Sequence, residues 1–83
     1  MIETKRIRTQ QGGLPSQWLV THDGEEVGLL EKYDKSGYGQ HPWKAYKGLG
    51  MGSEFKGAFY GTEGRREALE AIVGPIAVYR GHG

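Results

Sequence analysis

The chain has 83 residues, a formal net charge of +1, two Trp, two Phe, five Tyr and no Cys. This length suits one small core, so we predict that residues 1–83 form a single domain. The absence of cysteine excludes disulfides, thiolate metal ligands and thiol nucleophiles. Because no run of about 18 apolar residues is present, we expect a soluble, cytoplasmic protein that does not span a membrane.

The first ten residues alternate weakly between apolar and charged side chains. Residues 2–9 indicate either an opening strand or a basic arm, ahead of a Gln-Gln-Gly-Gly turn at 10–13. We favour the strand. The cations Lys5, Arg6 and Arg8 are candidates for phosphate contacts, and a purely solubilising role is the alternative.

The dipeptide Asp23-Gly24 predicts a β-hairpin over about residues 17–33, because it lies between two β-rich runs. A two-residue turn would fix the register. Side chains alternate along strands, so this register puts four apolar side chains on one side of the sheet. The predicted pairs are His22 with Glu25, Val20 with Val27, and Trp18 with Leu29.

A second hairpin follows, because residues 43–47 and 54–60 alternate like strands around the glycine-rich bend at 48–52. Residues 65–73 then predict a helix, since apolar side chains recur there at a spacing of about 3.6 residues. Thr62 is the expected N-cap and Gly74-Pro75 the end of the helix. Residues 76–79 suit an edge strand or an ordered tail, and residues 80–83 a frayed end.

These elements predict an α+β fold, in which an antiparallel sheet of three to five strands, built from two hairpins, carries one C-terminal helix on one face. Alternation assigns the residues to two faces. The helix side is predicted to carry Trp18, Val20, Val27, Leu29, Trp43, Ala45, Phe55 and Phe59. The outer side is predicted to carry Leu19, Thr21, Leu30, Lys32, Lys44, Tyr46, Lys56, Ala58 and Tyr60.

The outer side therefore mixes basic and aromatic groups, which suits nucleic acid because ammonium groups neutralise phosphates and Tyr hydrogen-bonds or stacks. The alternative is a solvated face, with Tyr chosen for β-propensity and Lys for solubility. The predicted nucleic-acid-binding residues of this side are Lys32, Lys44, Tyr46, Lys56 and Tyr60.

Apolar side chains predicted to be exposed suit a protein partner instead. Leu19 and Leu30 would lie near one another on the outer side, and Leu49 and Met51 lie in the glycine-rich bend. This bend lacks the Lys-Ser/Thr and the following helix of a phosphate-binding loop. The three histidines have no metal-ligand spacing, and no serine stands in a nucleophile motif. We therefore expect no metal, no cofactor and no enzymatic activity.

The second half of the chain resembles the AP2-like and integrase arm-type DNA-binding domains, through the signals Trp43-x-Ala45, Gly57-x-Phe59 and Glu67-Ala68. This resemblance implies a three-stranded sheet that is backed by a helix and contacts DNA through its outer face. It implies DNA contacts for Lys44, Tyr46 and Lys56. The short, cysteine-free, glycine-rich chain also resembles small accessory proteins of phages and mobile elements.

Two functions remain open from the sequence. The first is a non-enzymatic module that binds duplex DNA through the basic and aromatic sheet face. The second is a protein-interaction module, such as a phage or plasmid accessory protein that binds a host protein, or a homodimer formed through exposed Tyr, Leu and Met. The sequence specifies neither the partner, nor a base preference, nor the oligomeric state.

Overall fold

The computed structural model describes residues 1–33 and 41–75, which form a five-stranded antiparallel sheet and one helix. The strands follow one another in the sheet in chain order. This confirms the predicted α+β fold, whereas the strand or tail predicted at 76–79 and the end at 80–83 lie outside the described residues. The elements are β1 (Ile2–Arg8), β2 (Ser16–His22), β3 (Glu25–Lys32), β4 (Trp43–Lys47), β5 (Glu54–Phe59) and α1 (Gly64–Val73).

The turn between β2 and β3 is the predicted two-residue turn. Asp23 has a φ of 55° and Gly24 a φ of 86°, so both central residues adopt the left-handed conformation that a type I′ turn requires. His22 pairs with Glu25, as predicted. The dipeptide thus fixes the position of this hairpin.

A β-bulge beyond this turn changes the register of the two strands. Thr21 pairs with Glu26 and Val20 with Gly28, so Val27 is an extra residue without a direct partner. The predicted pairs Val20–Val27 and Trp18–Leu29 are therefore wrong. One extra residue reverses the alternation of everything that follows it in the strand.

This reversal exchanges two leucines between the faces. Leu30 pairs with Trp18 and is fully buried against the helix, so its predicted place on the outer side is wrong. Leu29 pairs with Leu19 and lies on the outer face, so its predicted place in the core is also wrong. Lys32 pairs with Ser16 and moves to the helix side together with Leu30.

A second bulge lies between β4 and β5. Ala45 pairs with Gly57 and Tyr46 with Phe55, which leaves Lys56 as the extra residue. Phe55 therefore lies on the outer face, where it is 55% exposed, and its predicted place in the core is wrong. Lys56 falls outside the regular alternation and pairs with Glu54 at 3.4 Å.

The core lies between the sheet and α1, which packs on β4 and β5 and to a smaller extent on β3. Gly28 permits this close approach: a Cβ atom there would lie 2.3 Å from the Tyr46 carbonyl oxygen and 2.9 Å from Ile72 Cγ2. Trp18, Val27, Trp43 and Phe59 pack around the core as predicted. The fully or nearly fully buried apolar residues are Val20, Leu30, Ala45, Ala68, Leu69 and Ile72.

Helix α1 differs from the prediction only at its start. Its N-cap is Glu63 rather than Thr62, and no side chain caps it. Arg66 lies near this positive end of the helix dipole, yet it is paired with Glu63 at 2.7 Å and with Glu70 at 3.0 Å. The helix ends at the predicted Gly74, which has a φ of 89°. In the two described ranges, no helical segment has the length and apolar character needed to cross a bilayer.

Candidate nucleic-acid interface

The outer face of the sheet carries one row of side chains that crosses all five strands. Each member pairs directly with the next, so the row follows from the backbone register alone. Beyond a single lysine at the β1 edge, the row is apolar or aromatic. We call it the outer row, and it consists of Lys5, Leu19, Leu29, Tyr46 and Phe55.

Charged side chains lie on both sides of the outer row, and their charges sum to zero. With the lysine of the row itself, the outer face carries three cations and three carboxylates. Arg8 is 3.7 Å from Glu31, which also accepts a 2.7 Å hydrogen bond from Gln17. A face with no net charge offers little general attraction to a polyanion. The six charged residues are Glu3, Lys5, Arg8, Glu26, Glu31 and Lys44.

Tyr46 is a partly buried member of the outer row that lies close to Glu31 and Phe55. Partial burial, with a further contribution from the carboxylate of Glu31, raises the pKa of its phenol above the ordinary value of 10.0. Its ring centroid lies 5.4 Å from that of Phe55, in a tilted arrangement typical of aromatic pairs. Tyr46 therefore remains neutral over the physiological pH range and adds to the apolar character of the face.

The other side of the sheet carries a different arrangement, which we call the cationic tryptophan cluster. The rings of Trp18 and Trp43 lie 4.9 Å apart between their centroids. The guanidinium of Arg6 lies over Trp18 at 4.8 Å from the ring centroid. The ammonium of Lys32 lies 5.8 Å and the guanidinium of Arg65 lies 6.0 Å from the centroid of Trp43. All three distances allow cation–π attraction.

Three separate elements supply these cations: β1, β3 and the first turn of α1. Arg65 is held in place because it donates a 2.8 Å hydrogen bond to Oγ1 of Thr4 on β1. In residues 1–33 and 41–75, neither Lys32 nor Arg65 has a carboxylate partner. Three cations therefore lie close to the two tryptophan rings.

The structure distributes the eight predicted nucleic-acid-binding residues over several places. Lys44 and Tyr46 lie on the outer face as predicted. Lys5 of β1 also lies on that face, as does Arg8 with its partner Glu31. Tyr60 follows the end of β5 and is 60% exposed. Arg6 and Lys32 belong to the cationic tryptophan cluster, so the predicted outer position of Lys32 is wrong. Lys56 lies at the β5 bulge with Glu54.

Sequence reasoning missed three members of the cluster: Arg65, Trp18 and Trp43. It placed both tryptophans on the helix side, where they lie, but assigned them only to the core because of their apolar character. A signal for Arg65 was available, since an arginine in the first turn of a helix opposes the helix dipole and suggests another electrostatic partner. No local signal links Arg65 to Trp43, which is 22 positions earlier in the chain.

The four predicted partner-contact residues also have different outcomes. Leu19 lies on the outer face. Leu49, which precedes a short 3-10 turn over Gly50–Gly52, is 38% exposed, and Met51 within that turn is 105% exposed. Leu30 is fully buried and is not available to a partner. The role of the three accessible residues stays a prediction.

The outer face also contains a shallow groove of about 560 Å³ over β1, β2 and the start of β3. Within the described ranges, no group of three or more His, Cys, Asp or Glu side chains could hold a metal ion. The chain matches no protein family, no curated protein and no solved structure. The residues that line the groove are Glu3, Thr4, Lys5, Leu19, Thr21 and Glu26.

Proposed function

We propose that this chain is a non-enzymatic module that binds duplex DNA through phosphate contacts of the cationic tryptophan cluster. The predicted function is thus retained, and its site moves from the outer face to the helix side. The absence of cysteine fits a reducing compartment, so we propose a cytoplasmic location.

One observation carries this proposal: Arg6, Lys32 and Arg65 converge on a pair of tryptophan rings from three elements of the fold. Lys32 and Arg65 have no carboxylate partner in residues 1–33 and 41–75, so an approaching anion meets two cations that no carboxylate neutralises. Phosphates of a duplex would pair with these two cations, and binding would release counterions from the DNA.

In this proposal the tryptophan rings position the cations and do not stack on DNA bases. Each ring has at least one cation over it, so a base could stack there only by displacing that cation. Cation–π contacts hold the guanidinium groups in defined positions, which lowers the entropy cost of binding. The cluster therefore contacts the phosphate backbone, which carries no direct sequence information.

The outer face supports this function less well. Its three cations are balanced by three carboxylates, and Arg8 is already paired with Glu31 at 3.7 Å. Lys44 and Tyr46, which the resemblance assigns to DNA, lie on this balanced surface. Lys44 therefore suits a control variant.

The experiment is a titration of a labelled mixed-sequence duplex, followed by fluorescence anisotropy at about 50 and about 200 mM salt. Phosphate contacts of Lys32 and Arg65 give a slope of about −1.8 in log affinity against log salt, or about 12-fold weaker binding at the higher salt. Both tryptophans of the chain lie in the cluster, so their intrinsic emission reports binding at this site.

The variants Lys32→Gln and Arg65→Gln should each reduce the magnitude of the salt slope by about 0.9, because each removes one phosphate contact. Lys44→Gln makes the same change in charge on the outer face and should leave both the slope and the tryptophan response unchanged. Loss of binding in Lys44→Gln, or binding without any change in tryptophan emission, would contradict the proposed site. Absence of salt-sensitive binding in the unmodified chain would contradict the function.

A further inference from the structure

We infer that the outer face of the sheet is a contact surface for a second copy of this chain, in a weak, face-to-face dimer. In the described part of the chain, α1 packs on one side of the sheet and leaves the other side without a covering element. The outer row nevertheless places Leu19, Leu29, Tyr46 and Phe55 in one line across that bare side. A solvated sheet face needs no such line.

The two halves of the face differ in shape. The half over β1 and β2 contains the shallow groove beside Leu19. The half over β4 and β5 presents the ring of Phe55, which is 55% exposed and packs at a tilt against Tyr46. A groove and a projecting ring on one surface are what a two-fold symmetric interface needs, since each copy supplies both parts.

A two-fold axis parallel to the strands brings these parts together. It lays β5 of one copy over β1 of the other, so that Phe55 enters the groove of its partner. The outer rows of the two copies then run in opposite directions across the interface. Tyr46 of one copy faces Leu19 of the other, and Leu29 on the middle strand faces Leu29 of the other copy. Lys5 at the rim of the groove meets the face of the incoming Phe55 ring, which favours a cation–π contact.

Charge supports a second copy as the occupant. The outer face carries three cations and three carboxylates, so two copies approach without net repulsion. A strongly acidic or basic partner would find no complementary surface here. The cationic tryptophan cluster lies on the opposite side of the sheet and does not oppose this contact.

The size of the face sets the strength of the dimer. The five strands lie about 4.8 Å apart, and each has about five to eight residues that rise about 3.3 Å each. The outer face therefore has an area of roughly 400–500 Å² per copy. A standard stable interface buries about 800 Å² per partner, so this contact belongs to the weak class. We expect a dimer that dissociates at low micromolar concentration and forms at hundreds of micromolar.

Sedimentation velocity at about 5 and about 500 µM tests this, because a weak self-association responds to concentration by mass action. The unmodified chain should change from monomer to mostly dimer over that range. Phe55→Glu should remain a monomer at both concentrations, and Leu14→Glu should dimerise normally, because Leu14 is 50% exposed and lies outside the sheet face. A chain that stays monomeric at the higher concentration, or equal loss in both variants, would overturn the proposal.

A second measurement tests the arrangement without relying on a disruptive change. The chain has no cysteine, so Leu29→Cys introduces a single thiol at the centre of the face. Packed sheets lie about 10 Å apart, so a bismaleimide of about that reach should join two Leu29→Cys copies. Leu14→Cys should give no such product, and equal cross-linking of the two variants would contradict the two-fold arrangement.

Discussion

Arg65 and Thr4 are 61 positions apart, and the guanidinium of Arg65 donates a 2.8 Å hydrogen bond to the hydroxyl of Thr4. This contact joins the start of α1 to the edge strand β1, although the helix body packs on β3, β4 and β5. The same guanidinium lies 6.0 Å from the ring centroid of Trp43 on β4, so it is close to both β4 and β1. One side chain thereby links the helix to the far edge of the sheet.

Thr4→Val should lower the free energy of unfolding by about 1 kcal/mol, because a hydrogen bond to a charged group at a partly buried position is lost. Valine keeps the shape and β-propensity of threonine, so little else changes. Urea unfolding followed by tryptophan emission measures the effect. Thr21→Val makes the same substitution on the outer face and should change stability by less than about 0.5 kcal/mol.

Gly28→Ala should destabilise the fold by more than about 2 kcal/mol, because the new methyl group would meet a backbone carbonyl that cannot rotate away. The Cβ atom would lie 2.3 Å from the Tyr46 oxygen, so β3, β4 and α1 must separate to accept it. Gly52→Ala is the matched control, since nothing lies within 4 Å of its Cβ position. Equal melting temperatures for the two variants would show that the helix and sheet are not in close contact at Gly28.

The bulge at Val27 makes opposite predictions for two adjacent leucines. Leu30 is fully buried, so Leu30→Ala should cost about 2–5 kcal/mol, as is typical of core truncations. Leu29 lies half-buried on the outer face, and Leu29→Ala should cost about 1 kcal/mol. Chemical denaturation of the two variants at low concentration decides the register. If Leu29→Ala were the more damaging change, the strands would pair as the uninterrupted hairpin predicts.

The raised pKa of Tyr46 makes stability depend on pH in the alkaline range. A phenol whose pKa is higher in the folded than in the unfolded chain contributes stability that is fully present below 10.0 and is lost as the pH rises through the folded value. Tyr46→Phe removes this contribution. The free energy of unfolding should therefore fall more steeply above pH 10 in the unmodified chain than in Tyr46→Phe, as urea titrations at several pH values would show. Parallel curves would mean that Tyr46 is not perturbed.

The sequence was sufficient to predict the order and approximate ends of the strands, because turn residues and alternation are local signals. Asp23-Gly24 predicted its turn correctly, and Gly74 predicted the end of α1. The faces were harder to predict. A single extra residue at Val27 or Lys56 reverses the alternation, and no local pattern distinguishes a bulge from a regular strand.

The candidate site was predicted less well than the fold, for a related reason. Arg6 and Lys32 were identified as cations of interest, but their common location depends on the register of β1, β2 and β3. The bulge at Val27 moves Lys32 to the side of Trp43, where Arg65 also lies. Convergence of this kind depends on long-range packing, which composition and spacing do not encode.

The two faces of the sheet carry different groups, and this separation has a consequence for the avidity of the proposed dimer. Copies joined through their outer faces would present their two cationic tryptophan clusters in opposite directions. Such a dimer would be bivalent. It would bind two separate stretches of duplex, because its two clusters could not both contact the same stretch. Its second binding event would occur at the high local concentration created by the first. DNA compaction would then rise steeply at protein concentrations where the dimer forms.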